Sequence, residues 1–403
     1  MKNRYINKKI ISILLFLFCG ILLHAQDKLL TDEQKVADFE YLYQVLSENY
    51  PFFGVAQRQH GIDWLSKKEE YTARIKSTKT DSAFIFTLKS VLDELGCGHV
   101  HFNCTRWADD GYSKLYHEAA EKDANYKKWA EMFDNPKTRT KYWAPILEKG
   151  ESNAEENNES SPQKPNYSDT VIADGKIAIM TIRTFSYFRI KSDKEKIDEL
   201  FDKISDCEAL IINIHDNSGG DHAYWQNNIV SRLIHEPVTY DMYPVIKDGE
   251  INRYFYSDFF NKGQLLQKDN RLPNIPEELL TEKYYVLDDR DTIYTDNPVT
   301  FHGKIYLLVS KSVFSASENF AQFCKTTGWA TVAGEQTGGD GIGGDPIIVL
   351  LPESGILVCY PALVGLNHNG SLNFEERTVP DMPIDGHNAD ERLDNLIKAI
   401  LQN

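Results

Sequence analysis

The fold is decided by residues 304–327, which read KIYLLVSKSVFSASENFAQFCKTT. The apolar run at 304–309 predicts a buried strand, 310–314 predicts a loop, and 317–327 predicts a helix. The same alternation continues on both sides of this stretch. It predicts strands over 176–184, 209–214, 304–309, 331–334, 347–351 and 355–359, and helices over 193–204, 221–234, 317–327 and 389–401. Strands that alternate with helices indicate an α/β architecture.

The N-terminal part of the chain has a helical pattern instead. Thr31 to Gln34 has the form of a capping box, and apolar residues at helical spacing follow until Pro51. Two more helices are predicted at 62–76 and 81–95, and the alternating segment 97–102 predicts a short strand. The expected domain organisation is a signal peptide at 1–26, an N-terminal helical region at 27–105, a charged insert and linker at 106–170, and an α/β core at 171–403.

Residues 1–26 have the pattern of a secretory signal. Four basic residues precede an apolar run from Ile10 to Leu23, and the small residue Ala25 stands near the predicted cleavage point at Gln26. The run has 14 residues, whereas a membrane-spanning helix needs roughly 20. We therefore expect an exported, periplasmic protein that has no stable membrane span after the signal is cleaved.

The charge of the chain argues against one class of partner. There are 44 Lys and Arg residues against 60 Asp and Glu residues, a formal charge of −16, and removing the four basic residues of the signal makes it −20. Nucleic-acid binding needs a broad basic face, so we expect no nucleic-acid partner. A hydrophobic fraction of 41% supports a large core and excludes disorder as the main state.

Ser315 is the first candidate for a chemical role. It lies where the predicted strand, loop and helix meet, so its hydroxyl would be near the positive end of the helix dipole and open to a substrate. The alternative is an ordinary helix cap, because Glu318 follows three residues later as in a capping box. The tetrapeptide alone is compatible with both roles.

A pair of glycines, Gly219 and Gly220, follows the predicted buried strand at 209–214. Adjacent glycines allow successive backbone N–H groups to face one point, and such an arrangement can stabilise an oxyanion. A plain turn is the alternative interpretation.

His99 is the third candidate, because glycines on its N-terminal side leave space around an imidazole that could act as a general base. A structural histidine is the simplest alternative. A second alternative is a zinc site made by Cys97, His99, His101 and Cys104. A third is a disulfide between Cys97 and Cys104, which export would permit.

Taken in order, these segments resemble the tail-specific, or C-terminal processing, serine peptidase family, including its tricorn-core relatives. The resemblance rests on the Gly-x-His segment that ends at His99, the Asn-x-Gly-Gly turn at 217–220 and the Ser-Ala-Ser-Glu segment at 315–318. Further matches follow at 332–339 and 379–384, and the resemblance covers roughly 84–386.

This resemblance implies a crotonase-like α/β core and the hydrolysis of peptide or protein substrates without a cofactor or metal ion. It implies that Ser315 is the nucleophile of an acyl-enzyme mechanism. The backbone N–H groups near Gly219, Gly220 and Ala316 would then form the oxyanion hole.

The resemblance has one departure that bears on the base. Bacterial processing members carry a lysine about 25 residues after the nucleophile, and that place is Asp340 here, while Lys325 does not match it. The tricorn-like branch uses histidine with an acidic residue in support. His99 with Glu375, or with the neighbouring Glu376, would fill those roles. The alternative function is a catalytically inactive peptide- or ligand-binding protein on the same fold.

Many members of the family carry a PDZ domain before the core. Residues 106–170 are short for one, and 150–165 have almost no apolar side chains that could supply buried strands. We therefore expect no PDZ domain in this chain.

Overall fold

A computed structural model describes residues 30–104, 111–155, 165–341 and 343–402, and the predicted signal at 1–26 lies outside them. The chain divides into two compact units. Unit 1 comprises Met1–Glu159, Gly249–Phe255 and Pro346–Pro361. Unit 2 comprises Ser160–Asp248, Tyr256–Asp345 and Ala362–Asn403.

Unit 1 is mainly helical and includes one small antiparallel sheet. Its helices are α1 (Asp32–Asn49), α2 (Phe53–His60), α3 (Lys68–Lys76), α4 (Asp81–Asp93), α5 (Ser113–Lys122), α6 (Lys127–Asp134), α7 (Thr140–Glu155) and α11 (Glu250–Phe255). Its strands are β1 (His101–Phe102), β11 (Ile347–Leu350) and β12 (Leu357–Tyr360), in the order β1-β12-β11.

The first helix shows why this unit folds as the sequence predicts. Thr31 accepts the Gln34 N–H at 3.2 Å, and the Gln34 side chain accepts the Thr31 N–H at 2.9 Å, so the predicted capping box is confirmed. Further along α1, the buried Asp38 accepts the N–H groups of Glu353 and Ser354, each at 2.8 Å. These bonds hold α1 against the turn between β11 and β12.

Unit 2 is built on a six-stranded sheet with the order β14-β10-β9-β4-β3-β2. Its strands are β2 (Tyr167–Ile172), β3 (Ile177–Ile182), β4 (Ala209–Asn213), β9 (Lys304–Val309), β10 (Thr331–Gly334) and β14 (Met382–Pro383). Only the edge strand β2 is antiparallel to its neighbour, and every other pair is parallel. The loops that follow β4 and β9 therefore leave the sheet at the same edge.

A second sheet and the remaining helices complete unit 2. The second sheet has the order β13-β5-β7-β6, with β8 also paired to β5; its strands are β5 (Val238–Lys247), β6 (Gln264–Leu265), β7 (Tyr284–Val286), β8 (Asp289–Ile293) and β13 (Leu363–Leu366). The helices are α8 (Ile190–Phe201), α9 (His222–Trp225), α10 (Ser231–Leu233), α12 (Ser257–Lys262), α13 (Glu277–Thr281), α14 (Ala316–Thr327), α15 (Asn373–Glu376) and α16 (Ala389–Leu401).

Both faces of the six-stranded sheet are covered. Leu307 of β9 packs in a core that includes Phe320 of α14, and the next residue, Leu308, packs on the opposite face in a core that includes Leu396 of α16. Burial of both faces explains why the parallel strands are continuous apolar runs.

The structure confirms the mixed α/β class with a helical N-terminal region. Several details differ from the sequence prediction. The strand expected at 97–102 is limited to β1, because a turn with a Val100 N–H to Cys97 C=O bond of 3.0 Å precedes it. The region 106–170, expected to be a charged insert and linker, contains the helices α5, α6 and α7, and α7 continues to Glu155. In addition, the stretch at 236–300, where the sequence shows no regular pattern, contains short helices and the strands β5 to β8.

Candidate active site

Ser315 lies between β9 and α14 in a strained backbone conformation. Its φ is 56° and its ψ is −127°, a region that residues other than glycine rarely occupy. Its N–H donates to Gly339 O at 3.2 Å, and its C=O accepts the Asn319 N–H at 3.0 Å. The side chain is half-buried and makes no capping hydrogen bond to α14, so the helix-cap interpretation of Ser315 is wrong.

Ser317, two residues later, is anchored through its side chain. Its Oγ accepts the Phe314 N–H at 3.1 Å and donates to Asn217 O at 2.6 Å. Ser317 is fully buried, and it joins the serine loop to the turn after β4.

Of the paired glycines, Gly219 lies directly against Ser315 and Gly220 lies against Phe185. A Cβ at Gly219 would be 2.8 Å from Ser315 Cβ and 3.1 Å from Ala316 N, and the φ of Gly219 is 112°. A Cβ at Gly220 would be 2.4 Å from the carbonyl carbon and oxygen of Phe185, at a φ of 138°. Only glycine therefore fits either position, and the turn packs tightly against the serine.

The hydrogen bonds of this turn decide which N–H groups a ligand could use. The Gly219 N–H donates to Asn217 Oδ1 at 2.9 Å and is therefore engaged. Within the part of the chain that the structure describes, the amides of Gly220 and Ala316 donate to no acceptor. Ala316 is the first residue of α14, where the backbone N–H has no partner inside the helix and the dipole is positive.

His215, on the same turn, has both ring nitrogens engaged. Nδ1 lies 2.8 Å from Asp216 Oδ1, and Nε2 accepts from the buried guanidinium of Arg392. Arg183 also contacts Asp216, with 3.1 Å between Nη1 and Oδ2. Because both ring nitrogens already have partners, His215 is a structural histidine of this turn.

Glu375 belongs to unit 2 and lies on the short helix α15. It is half-buried, whereas Glu376 beside it is exposed. The Glu375 N–H donates to Leu372 O at 3.1 Å, and the Glu376 C=O accepts from Gln336 Nε2 at 2.9 Å.

The sequence suggests only a capping role for Glu318, whereas in the structure its side chain bonds to residues of a distant segment. It is fully buried, and Oε1 accepts from Asn373 Nδ2 at 2.9 Å and from Thr378 Oγ1 at 2.6 Å. Burial raises the pKa of Glu318, against the opposing effect of hydrogen bonds from Thr337, Thr378 and Asn373. No local pattern in the sequence identifies this role, because Asn373 and Thr378 lie 55 and 60 residues further along the chain.

His99 belongs to unit 1, in the turn before β1, and is partly exposed. Burial, followed by the nearby charge of His99, lowers the pKa of His101 to about 4, so His101 is neutral near pH 7. Among the described residues, no group of three or more His, Cys, Asp or Glu side chains could hold a metal ion. Cys97 and Cys104 are buried thiols.

The positions of Asp340 and Lys325 show whether either side chain could act as the general base instead of a histidine. Asp340 is buried and has a φ of 59°. Lys325 lies ten residues beyond Ser315 on α14, roughly 15 Å along the helix axis at 1.5 Å per residue. Its ammonium pairs with Asp381 and is partly exposed. Lys325 therefore takes no part in the arrangement around Ser315.

Solved structures that share this fold include two that align over nearly the whole of this chain. One is a candidate peptidase from Parabacteroides merdae, with a TM-score of 0.56, 19% identity, and coverage of 91% of this chain and 96% of that one. The other is mature CPAF, with a TM-score of 0.56, 13% identity, and coverage of 92% of this chain and 96% of that one. At these identities the likeness concerns the fold alone.

The sequence itself also matches a known family. The profile of peptidase family S41 matches residues 176–384, which is more than half of the 403 residues. The match includes the glycine turn, the serine loop and α15. This chain therefore belongs to peptidase family S41.

Proposed function

We propose that the protein is an exported serine peptidase that cleaves peptide bonds through an acyl-enzyme on Ser315, with His99 as general base. The observation that carries the proposal is the arrangement around Ser315. A strained serine whose side chain makes no capping hydrogen bond lies against Gly219, where only glycine fits, and directly before the Ala316 N–H at the start of α14.

The first chemical step would be attack by Ser315 Oγ on the carbonyl carbon of the scissile bond. His99 would accept the hydroxyl proton as the bond forms, and Glu375 would orient the imidazolium and stabilise its charge. The carbonyl oxygen becomes negative in the tetrahedral intermediate, and the N–H groups of Gly220 and Ala316 would donate to it. We leave the Gly219 N–H out of the oxyanion hole because Asn217 engages it.

The intermediate would then collapse to products. The C–N bond breaks, and His99 returns its proton to the leaving amine, which leaves an ester on Ser315. A water molecule activated by His99 would hydrolyse that ester and restore the hydroxyl. The imidazole would take up and release one proton in each half-reaction, so no cofactor is needed.

Histidine is the preferred base because no lysine occupies the place of the family lysine. That place is Asp340, and a carboxylate is too weak a base to replace an amine for a serine hydroxyl. The proposal for His99 rests on its Gly-x-His sequence and on the resemblance to the tricorn-like branch. We also propose a crotonase-like core around the parallel sheet of unit 2.

The surroundings in which the enzyme acts are part of the proposal. The signal-like residues 1–26 support export to the periplasm, with peptide or protein substrates there. Within the described residues, none of the helices is both long and apolar enough to cross a membrane.

Hydrolysis of a quenched fluorescent peptide library by the purified protein tests the proposal. Ser315→Ala should reduce turnover by about a thousandfold or more, because the nucleophile is lost. Ser312→Ala is the matched control, since Ser312 is an exposed serine of the same loop. Unchanged hydrolysis by Ser315→Ala would show that Ser315 is not the nucleophile.

His99→Ala tests the base separately. It should reduce kcat by at least about a hundredfold at pH 7, the usual range for a general base. The exposed histidine variant His235→Ala serves as the control for loss of an imidazole. If kcat is the same in His99→Ala and in the wild type, another group is the base.

Asp340 favours one alternative, a binding protein on this fold that has no turnover. A wild-type protein that binds peptides but neither hydrolyses them nor reacts with a fluorophosphonate would support this alternative. Stoichiometric fluorophosphonate labelling would exclude it.

A further inference from the structure

Glu318 joins two segments that the proposed mechanism needs. It is the third residue of α14, the helix that Ser315 precedes, and its side chain is fully buried. Oε1 accepts from Asn373 Nδ2 at 2.9 Å and from Thr378 Oγ1 at 2.6 Å. Asn373 is the first residue of α15, and Thr378 lies two residues after its end. The carboxyl group therefore holds both ends of the helix that carries Glu375.

Further buried hydrogen bonds extend this network. Asn373 Oδ1 accepts the Gly341 N–H at 2.8 Å. Thr378 N–H donates to Thr337 Oγ1 at 2.8 Å, and Thr337 N–H donates to Thr378 O at 3.1 Å. Asn373, Thr378 and Thr337 are all buried, so water cannot replace these bonds without an opening of the segment.

We propose that Glu318 is a positioning residue that fixes α15, and with it Glu375, against the helix that presents Ser315. This inference rests on the proposed function, in which Glu375 orients the general base. Glu318 itself need not touch the substrate. Its effect on the reaction would pass through the position of the Glu375 carboxylate.

The chemical state of Glu318 follows from its surroundings. Oε2 is buried and has no hydrogen-bond partner among the described residues. Burying a carboxylate without a cation costs much more free energy than burying a neutral carboxylic acid, and burial raises the pKa of Glu318 accordingly. Glutamine has the same shape and is neutral, so Glu318→Gln preserves the acceptor that binds Asn373 and Thr378. Glu318→Ala removes it.

Kinetics of a double-mutant cycle test the link to Glu375. Glu318→Ala should lower kcat about tenfold or more and change KM by less than about threefold, and Glu318→Gln should restore most of the loss. In a Glu375→Gln background, Glu318→Ala should lower kcat by less than about threefold, because its effect passes through Glu375. Lys325→Ala, an exposed change on the same helix, is the control. If the effect of Glu318→Ala is as large in the Glu375→Gln background, the link is absent.

Hydrogen exchange tests whether Glu318 positions α15, and it does so without a measurement of catalysis. The N–H groups of Glu375, Glu376 and Arg377 donate to Leu372 O and Asn373 O, so they report whether α15 stays folded. Glu318→Ala should speed their exchange about tenfold or more relative to the amides of β3, and Glu318→Gln should not. Equal exchange in the wild type and Glu318→Ala would overturn the inference, even if Ser315 proves to be the nucleophile.

A second variant covers the case in which Glu318→Ala fails to fold. Thr378→Val keeps the shape of the side chain but removes one of the two donors to Glu318. It should speed exchange at 375–377 by about threefold or more. If the wild-type protein neither hydrolyses peptides nor reacts with a fluorophosphonate, the proposed function fails, whereas these exchange rates still decide the role of Glu318.

Discussion

Ser315 has a φ of 56°, a conformation that costs a residue with a side chain about 1–3 kcal/mol. The surroundings hold it there. Its N–H bonds to Gly339 O, and the neighbouring Ser317 bonds to Asn217 O. A strained serine maintained by contacts on both sides is typical of a nucleophile at a strand-to-helix turn. An ordinary helix cap has an extended backbone and bonds to the helix through its side chain.

The space beside Ser315 depends on Gly219. Gly219→Ala should lower kcat/KM at least about a hundredfold, since its Cβ would be 2.8 Å from Ser315 Cβ at a φ that alanine disfavours. Gly343→Ala is a matched control, because a Cβ there meets no atom within 4 Å. Wild-type kinetics in Gly219→Ala would show that the reaction does not need the space that Gly219 leaves beside Ser315 and Ala316 N.

The raised pKa of Glu318 predicts how the stability of the folded protein changes with pH. Its folded-state pKa is raised above the ordinary value of 4.5, so above pH 4.5 the unfolded chain loses this proton while the folded chain keeps it. Glu318 therefore lowers the stability of the wild type as the pH rises, until the folded-state pKa is reached. Glu318→Gln does not titrate.

Chemical denaturation from pH 4 to pH 9 measures this difference. The ratio of folded to unfolded protein in Glu318→Gln, divided by the same ratio in the wild type, should rise with pH. The rise should be at most about tenfold per pH unit, because one proton is involved. A stability difference that stays constant over this range would show that Glu318 is ionised in the folded protein.

Among the helices and strands, the sequence predicts those whose apolar periodicity and end signals are local. The β4 and β9 strands and the helices α4, α14 and α16 were predicted to within a few residues, because their apolar periodicity and end signals agree. The Ser315 loop and the glycine turn were also found in this way. The strands β5 to β8 were missed because they are interrupted by short helices and stabilised by pairing with distant segments.

The site was only partly predictable for the same reason. The role of Glu318 depends on Asn373 and Thr378, which are 55 and 60 residues away, and no local pattern reveals such contacts. The engagement of the Gly219 N–H by Asn217 depends on the geometry of the turn. Residue types that suit a reaction can be recognised in a sequence, whereas their hydrogen-bond partners cannot.

The closing helix α16 is attached to the sheet through Arg392. The buried guanidinium donates to Ile384 O at 3.1 Å and to Gly386 O at 2.7 Å, and it lies 3.1 Å from Glu335 Oε2. Arg392→Met should lower the free energy of unfolding by about 2–4 kcal/mol, because these buried acceptors lose their donor.

Urea denaturation measures this loss of stability. Lys398→Met is the matched control, since Lys398 is an exposed residue of the same helix. Equal midpoints for the wild type and Arg392→Met would show that α16 is held by its apolar face alone.

Across the whole molecule, the chain combines a mainly helical unit with an α/β unit. Ser315, the glycine turn and Glu375 belong to unit 2, and His99 belongs to unit 1.

Export is a prediction about the whole chain. The protein recovered from the periplasm of a bacterial host should begin near Asp27, with a formal charge changed from −16 to −20. N-terminal sequencing or intact mass measures the cleavage point. Recovery of the uncleaved chain from the cytoplasm alone would contradict the signal assignment.

The central claim is that Ser315 is an activated nucleophile. The most direct test is to treat the purified protein with a fluorophosphonate and to locate the adduct by peptide mass mapping. We expect a single adduct on Ser315 in the wild type and in Ser312→Ala, and none in Ser315→Ala. An adduct at another residue, or no adduct on a folded wild-type protein, would contradict it.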